Sequence, residues 1–144
     1  PYISMHGSTQ KMVEYLVSAL AGRGVSVYQF NLAATDIGKL AMSLVDAATL
    51  VVGTPTVHVG PHPNVIYAVY LANVLRPKLK FASVIGSYGW ASKAVEQIAA
   101  MIPALKVEIL NPVISKGYPR EADFKALDML AETIAQKHKE QKFI

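Results

Sequence analysis

The chain has 144 residues, a formal net charge of +4 and no cysteine, and 52 % of its residues are hydrophobic. This composition fits one domain with a sizeable core, and the lack of cysteine excludes disulfides, zinc–thiolate sites, iron–sulfur clusters and cysteine nucleophiles. No apolar run approaches the roughly 18 residues of a membrane span, so we expect a cytoplasmic protein without a membrane partner.

Much of the positive charge lies at one helix end. Lys137, Lys139 and Lys142 fall in the last turns of the predicted C-terminal helix, where cations complement the helix dipole. No aromatic residues interleave a basic stripe, so we expect no nucleic-acid partner.

Short apolar runs alternate with helical patterns along the chain. Periodic apolar spacing predicts helices over residues 9–21, 36 to about 45, 64–75, 91–101 and 121–139. Apolar runs predict strands over residues 2–3, 25–30, 49–53, 81–86, and 106–115, the last interrupted by Asn111 and Pro112. We expect the strand over residues 25–30 to be buried. The strand–helix unit repeated five times predicts an α/β fold with a doubly wound, five-stranded parallel sheet, flavodoxin-like in its strand order 2-1-3-4-5.

The first strand is short, because only two or three residues precede the first loop. A mean strand has about five or six residues. We therefore expect residues 1–144 to be a single domain that forms the C-terminal part of a longer chain, with the first strand truncated.

In this strand order, the loops after strands one, three and four meet at the carboxyl edge of the sheet, where ligands bind. These loops are also the most unusual segments of the chain. The candidate cofactor-binding residues are Ser4, Met5, His6, Gly7, Ser8 and Thr9 in the first loop, Pro55, Thr56, Val57, His58, Val59 and Gly60 in the second, and Ser87, Tyr88, Gly89 and Trp90 in the third.

The first loop has the composition of a phosphate-binding turn. Hydroxyls and backbone N–H groups at a helix start hold a phosphate without any Lys or Arg. The chain has neither a G-x-x-x-x-G-K-[ST] motif nor a G-x-G-x-x-G motif after the first strand, which leaves a mononucleotide. The alternative is that Ser8 or Thr9 only caps the helix.

The other two loops decide between these interpretations. Glycine and proline in the second loop allow a close backbone approach, and two aromatic residues flank Gly89 in the third. Amides for a phosphate, a tight backbone loop and paired aromatics are what a phosphorylated tricyclic ring requires, and FMN fits that description.

These motifs together resemble a known family. Residues 4–9 (Ser-Met-His-Gly-Ser-Thr), residues 53–56 (Gly-Thr-Pro-Thr) with Gly60 and Pro61, and residues 86–90 (Gly-Ser-Tyr-Gly-Trp) are similar to the flavodoxin-like domain of flavodiiron proteins, the A-type flavoproteins that reduce dioxygen or nitric oxide. The resemblance covers nearly the whole chain. It implies that the first loop holds the FMN phosphate and that the second and third loops run along the ring.

The resemblance also implies partners. In the family, a metallo-β-lactamase-like domain lies upstream and carries a diiron site, and electrons come from a donor such as rubredoxin or a reductase. This chain has no H-x-E-x-D-H run, so oxygen or nitric oxide reduction is not expected on it alone, and we assign it no catalytic residue. A head-to-tail dimer in the family implies a homo-oligomer.

Three other interpretations remain open. In the first, the chain is a stand-alone flavodoxin or quinone-reductase-like protein. In the second it is a signalling receiver, and in the third it is a binding module that has lost its cofactor. A receiver requires an acidic cluster after strand one and an aspartate after strand three, where this chain has Ser4 and Thr54. His58 and His62 lack a third partner for a metal, so we expect no metal site and assign them to the flavin edge.

Charge around the predicted ring site is unusual. No Asp or Glu occurs between Asp46 and Glu96, an interval that contains both ring-side loops. Because reduction places negative charge on a flavin, we expect a less negative midpoint potential than in acidic flavodoxins. The competing explanation is that the interval is acid-poor because its strand and helix faces are buried.

Overall fold

The structure is a computed structural model that describes residues 1–57, 60–75, 78–89, 92–102 and 106–143. Its helices are α1 (Ser8–Ala21), α2 (Ile37–Leu44), α3 (Pro63–Leu75), α4 (Ala94–Ala100) and α5 (Glu121–Glu140). Its strands are β1 (Thr49–Val57), β2 (Gly60–Pro61), β3 (Phe81–Tyr88), β4 (Glu108–Ile109) and β5 (Val113–Lys116).

The sheet has the predicted order. Tyr2 forms parallel bridges to Asn31 on one side and to Gly53 of β1 on the other. β1 then pairs in parallel with β3, and β3 pairs in parallel with both β4 and β5. The residues that separate β4 from β5 include Asn111 and Pro112, so the predicted interruption is confirmed. In chain order the five predicted strands lie 2-1-3-4-5, as in a flavodoxin.

Helices cover both faces of the sheet, which explains why the central strands are apolar on both sides. One buried cluster lies between the sheet and helices α1 and α5, and includes Met12, Leu16, Ile85 and Leu130. A second cluster lies on the opposite face, against α2, α3 and α4. Among the described residues, none of the helices combines the length and apolar content that crossing a bilayer requires.

Local signals explain several boundaries. The Asp36 carboxylate accepts a hydrogen bond from the Gly38 N–H at 2.9 Å and so begins α2. The Asp123 carboxylate accepts one from the Arg120 N–H at 2.9 Å and begins α5. Gly24 has φ +80°, which ends the turn after α1 in a left-handed conformation.

The predicted start of α4 and the predicted strand over residues 25–30 were wrong. α4 begins at Ala94, not at residue 91, because the Ser92 hydroxyl accepts a hydrogen bond from the Ala94 N–H at 3.2 Å. The segment over residues 25–30 is not a buried strand, since Tyr28 is 75 % exposed and only a bridge at Asn31 is formed. The backbone of Tyr2 reaches only Phe30 and Leu32, so the rest of the segment has no neighbouring strand on that side within the described residues.

Candidate functional site

The first loop wraps around the hydroxyl of Ser4. That hydroxyl accepts hydrogen bonds from the Gly7 N–H at 3.1 Å and from the Gln10 N–H at 3.2 Å. Gly7 precedes α1 with φ +88°, a left-handed conformation that glycine adopts without strain. With both acceptor positions used, the Ser4 O–H proton remains available as a donor to a ligand.

Thr9 is the most informative residue of this loop. It is 1 % exposed, and its Oγ1 has no hydrogen-bond partner within the described part of the chain. An unsatisfied buried hydroxyl lowers the stability of the folded state by about 1–3 kcal/mol, so the presence of Thr9 at this position requires an explanation. Ser8 and Thr9 are also the first two residues of α1, whose N–H groups have no acceptor inside the helix.

These groups fit an anion. A phosphate oxygen accepts hydrogen bonds from hydroxyls and from amides at a helix N-terminus, where the dipole contributes partial positive charge. Ser4, Ser8 and Thr9 offer such donors, whereas the Gly7 N–H is already donated to Ser4. Met5 and His6 are exposed at the tip of the loop.

The second predicted loop is a β-hairpin for much of its length, which corrects the prediction. β1 continues through Pro55 and Thr56 to Val57, and pairs antiparallel with Gly60 and Pro61 of β2. The strand continues past Pro55 because the parallel pairing with β3 extends to Pro55 opposite Ser87, beyond the predicted strand end at residue 53.

Thr54 anchors the base of this hairpin. Its buried hydroxyl donates to the Pro55 carbonyl at 2.8 Å and accepts from the His62 N–H at 2.9 Å. The Nδ1 atom of His62 accepts from the Asn64 N–H at 3.0 Å, so the neutral ring carries its proton on Nε2. That Nε2–H is a donor beside the hairpin.

The third predicted loop is shorter than expected. β3 runs to Tyr88, two residues past the predicted end, and pairs there with Lys116 of β5. Gly86 permits the close packing of β3 against β1, since a Cβ atom at this position would lie 1.9 Å from the Thr54 carbonyl oxygen. Gly89 is exposed and has open space where a side chain would project.

The three segments converge. The Ile3 N–H donates to the Gly53 carbonyl, so the first loop and the hairpin leave the sheet side by side. Pro55 lies opposite Ser87 in the ladder, so the hairpin and the third loop are adjacent as well. The predicted residues His58, Val59 and Trp90 lie outside the described residues.

The sequence did not single out a fourth segment at the same edge. Lys116 ends β5 beside Tyr88, and the Gly117 N–H donates to the Tyr88 carbonyl at 2.7 Å. Tyr118 is 58 % exposed just beyond. The sequence feature that could have predicted this fourth segment is the Lys-Gly-Tyr turn directly after the last strand.

The described histidines do not form a metal site. His138 lies on α5 and hydrogen-bonds Thr49 at the start of β1, 2.7 Å between Nε2 and Oγ1, at the opposite edge of the sheet from the loops. Burial lowers the pKa of His138. Within the described ranges no group of three or more His, Asp or Glu side chains is close enough to hold a metal ion.

Comparison with known proteins identifies the fold and its relatives. No protein-family model matches the chain. It is 30 % identical over 136 residues to the rubredoxin-oxygen oxidoreductase of Megalodesulfovibrio gigas, a match that spans 94 % of this chain and 34 % of that protein. It is 30 % identical over 137 residues to the nitric oxide reductase of Moorella thermoacetica, spanning 93 % of this chain and 34 % of that protein.

Solved structures agree. The rubredoxin oxygen:oxidoreductase of Desulfovibrio gigas superposes with a TM-score of 0.90 at 29 % identity, over 96 % of this chain and 35 % of that one. The flavodiiron protein of Giardia intestinalis superposes with a TM-score of 0.86 at 21 % identity, over 94 % and 34 %. A flavodoxin from an archaeon gives 0.79 at 24 % identity, over 96 % and 95 %.

The chain spans about a third of the length of the oxidoreductases that it matches and nearly the whole of the flavodoxin. The sequence matches and the structural superpositions each extend over nearly all of its residues. The chain is therefore a flavodoxin-like domain of the kind found in flavodiiron proteins.

Proposed function

We propose that this chain is an FMN-binding electron-transfer domain of a flavodiiron-type oxidoreductase. The observation that carries the proposal is the buried hydroxyl of Thr9, which has no hydrogen-bond partner among the residues that the structure describes and lies at the amino terminus of α1. A phosphate placed there accepts from this hydroxyl and from the amides of Ser8 and Thr9, and so satisfies donors that the polypeptide leaves unpaired.

The remaining predicted residues are proposed to hold the ring. The hairpin that contains Pro55, Thr56 and Val57 lies beside the segment of Ser87, Tyr88 and Gly89. The flat ring is proposed to bind at the edge of the sheet, between these two segments and the first loop. His58, Val59, Gly60 and Trp90 complete this proposed set. We assign the Nε2–H of His62 as a donor toward the flavin edge.

Bound FMN supplies the redox chemistry, because the isoalloxazine ring accepts and releases electrons at accessible potentials. The chain supplies position, through hydrogen bonds to the phosphate, and electrostatics, through an interval without carboxylates from residue 47 to residue 95. Because this interval contributes no carboxylate, its two ring-side segments do not oppose the reduced, negatively charged ring.

The wider assembly is part of the proposal. Because the relatives are about three times as long as the matched region, we infer that the chain is the C-terminal part of a longer protein with a diiron domain upstream. The names of the relatives include a rubredoxin-oxygen oxidoreductase and a nitric oxide reductase, so we propose a rubredoxin-type or reductase donor. We propose a cytoplasmic homo-oligomer.

The test compares FMN with riboflavin, which has the same ring and no phosphate. We expect FMN to bind with at least about 10-fold higher affinity than riboflavin, because only FMN engages the first loop. In Thr9→Val, FMN affinity falls about 10-fold, whereas the cofactor-free chain becomes about 1 kcal/mol more stable because a buried unsatisfied hydroxyl is removed. Thr9→Ser keeps the hydroxyl and is the matched control.

Equal affinities for FMN and riboflavin would contradict the assignment of the first loop to the phosphate. Unchanged FMN affinity in Thr9→Val, with the stability gain present, would show that the hydroxyl does not face the ligand. Affinity is read from flavin fluorescence and stability from urea unfolding, so the two effects are measured separately.

A stand-alone flavodoxin is the second candidate, favoured by the archaeal flavodoxin that matches over 95 % of its own length. The two candidates differ in the intact gene product. A domain-sized upstream extension with two irons per chain supports the flavodiiron protein, and a mass close to this chain without iron supports the flavodoxin.

A further inference from the structure

A fourth segment lies at the same edge of the sheet as the three proposed flavin segments. It comprises residues 116–118 and begins with the last residue of β5. Lys116 lies opposite Tyr88 in the parallel ladder between β3 and β5, and both Lys116 and Tyr118 are exposed. Neighbouring strands are about 4.8 Å apart, so the backbone of Lys116 is one strand spacing from the third flavin segment.

The side chain of Lys116 lies on the face of the sheet that carries α4. Ile114, two residues earlier in β5, packs against the apolar cluster on that face, and side chains two residues apart in a strand share a face. Residues opposite each other in a ladder also share a face, so Tyr88 lies beside Lys116. Thr56 lies on this face as well, since its hydroxyl bonds to Ser92 just before α4. Thr56, Tyr88 and Lys116 therefore form a row across β1, β3 and β5.

The turn after Lys116 is held on both sides. The buried hydroxyl of Ser115 donates to the Gly117 carbonyl at 2.9 Å and lies 3.4 Å from the sulfur of Met12 in α1. The Gly117 N–H donates to the Tyr88 carbonyl at 2.7 Å, and Gly117 has φ +72°, which glycine adopts without strain. The backbone at Lys116 is therefore fixed relative to the third flavin segment, and its freedom is confined to the flexible stem of the side chain.

The ammonium group of Lys116 has no carboxylate partner within the described residues, where the ion pairs involve other cations. The first carboxylate after it in the chain, that of Glu121, pairs with Lys125 at 3.6 Å. The next one, that of Asp123, accepts a hydrogen bond from the Arg120 N–H. The charge of Lys116 therefore acts on a group bound at this edge without a paired carboxylate to cancel it.

We propose that Lys116 raises the reduction potential of FMN bound at this edge, by stabilising the negative charge of the reduced ring. The uptake of two electrons from a donor and one proton from water leaves one net negative charge on the ring, which is neutral when oxidised. The ammonium group therefore attracts the ring only in its reduced form, and a difference in affinity between the two forms is a shift in potential. The inference rests on the proposed function, because it requires FMN at this edge.

Two other roles for Lys116 give different results. A lysine at the phosphate would strengthen the binding of both oxidation states equally, since the phosphate has the same charge in both. A lysine that only protects the exposed edge of β5 from pairing with other chains would affect neither. A difference between the oxidised and the reduced form therefore separates the proposed role from both.

The test measures, for each chain under anaerobic conditions, the dissociation constants of oxidised FMN and of FMN reduced by dithionite. Lys116→Gln removes the charge and keeps a polar side chain. We expect the reduced form to bind it about 5–10-fold more weakly and the oxidised form to change less than about 2-fold. A 10-fold change in the ratio of the two constants equals about 30 mV in a two-electron potential. Lys116→Glu should double the change on a logarithmic scale, and Lys116→Arg should leave the ratio within about 2-fold of the parent.

Lys80→Gln is the matched control for the loss of one positive charge. Lys80 is also exposed, but it directly precedes β3 and so lies at the other end of the strand that Tyr88 ends. The 8 residues of β3 separate the two positions by roughly 26 Å, well beyond the screening length of about 8 Å at physiological ionic strength. This variant should leave the ratio of the two dissociation constants unchanged. Added salt should reduce the effect of Lys116→Gln, because an exposed charge is screened.

Normal binding of oxidised FMN, with the same ratio in Lys116→Gln as in the parent, would overturn this inference and leave the flavin proposal intact. An equal loss of affinity for both oxidation states, or the same change of ratio in Lys80→Gln, would overturn it as well. A folded parent chain that binds neither form of FMN would contradict the proposed function and this inference together. Circular dichroism shows that each variant is folded, which we expect because the side chain of Lys116 is exposed.

Discussion

The hydroxyl of Thr56 donates a hydrogen bond of 2.9 Å to the hydroxyl of Ser92. Thr56 lies near the end of β1, in the strand's hairpin with β2, and Ser92 lies between β3 and α4, where its hydroxyl also accepts from the Ala94 N–H. The bond therefore ties one of the three proposed flavin segments to the start of a helix, two residues beyond the end of another segment.

Replacement of Thr56 by valine removes this bond and keeps the shape of the side chain. We expect a loss of stability of about 0.5–1.5 kcal/mol and FMN binding weakened several-fold, because the hairpin must be ordered when the ligand binds. Urea unfolding and flavin titration measure the two effects, and Thr56→Ser is the control that retains the hydroxyl. Weakened binding in Thr56→Ser as well would refute the role of the hydrogen bond.

Gly86 and Gly89 differ in what a methyl group would meet. A Cβ atom at Gly86 would lie 1.9 Å from the Thr54 carbonyl oxygen, whereas one at Gly89 meets no atom of the described residues within 4 Å, its chain neighbours aside. We expect Gly86→Ala to cost about 2–3 kcal/mol, because β1 and β3 must separate, and Gly89→Ala to change stability by less than about 0.5 kcal/mol. Thermal unfolding of the cofactor-free chains measures both, and equal stability would contradict the close approach of the strands.

The open position at Gly89 also allows a test of the acid-free surroundings. Gly89→Asp places a carboxylate in one of the proposed ring segments without a steric clash, so reduction of bound FMN should become harder by tens of millivolts. Gly89→Asn has nearly the same shape without the charge and should leave the potential close to that of the parent. Spectroelectrochemical titration gives the midpoint values. A shift that is the same for both variants would exclude an electrostatic cause.

His138 makes stability depend on pH. It is 8 % exposed, lies between the rings of Phe81 and Phe143, and hydrogen-bonds Thr49. Burial lowers its pKa below the ordinary 6.5, so the folded state holds this ring neutral where the unfolded state begins to protonate it. The neutral, buried ring of His138 contributes its full stabilisation of the fold above pH 6.5. This stabilisation is lost as the pH falls below 6.5, because the unfolded state then takes up a proton that the folded state does not.

We therefore expect the parent chain to lose stability between pH 7 and pH 5 more steeply than His138→Gln, which has no charge to acquire. Every other titrating group adds the same slope to both proteins, so the difference between them isolates His138. Urea unfolding at several pH values provides the slopes. Parallel pH dependences would mean that His138 titrates normally in the folded chain.

The helices and the sheet order were predictable because their signals are local and periodic. The apolar stripe of α1, the cap at Asp36 and the carboxylate of Asp123 each act within a few residues, and the strand order follows from alternating strands and helices. The convergence of the three segments followed from that order alone, before any contact was known.

Pairing between segments that are distant in sequence determines the features that local sequence patterns did not predict. Proline at position 55 suggested a loop, but pairing with Ser87 and the short hairpin partner at Gly60 keep the segment in strand conformation. Residues 25–30 have the composition of a buried strand, but Tyr2 pairs only at the end of this segment, so Tyr28 and its neighbours are left exposed. That the Thr9 hydroxyl is buried without a partner among the described residues also depends on packing, since the sequence shows only a threonine near a helix start.

The central claim, that the three segments together bind FMN, is tested most directly by the fluorescence of the chain's only tryptophan, Trp90, which belongs to the third segment. Titration of the purified, folded chain with FMN should quench this emission to a plateau at one equivalent per chain, since the ring is proposed to lie against that segment. Emission that stays constant while FMN is added to a folded chain would contradict the account.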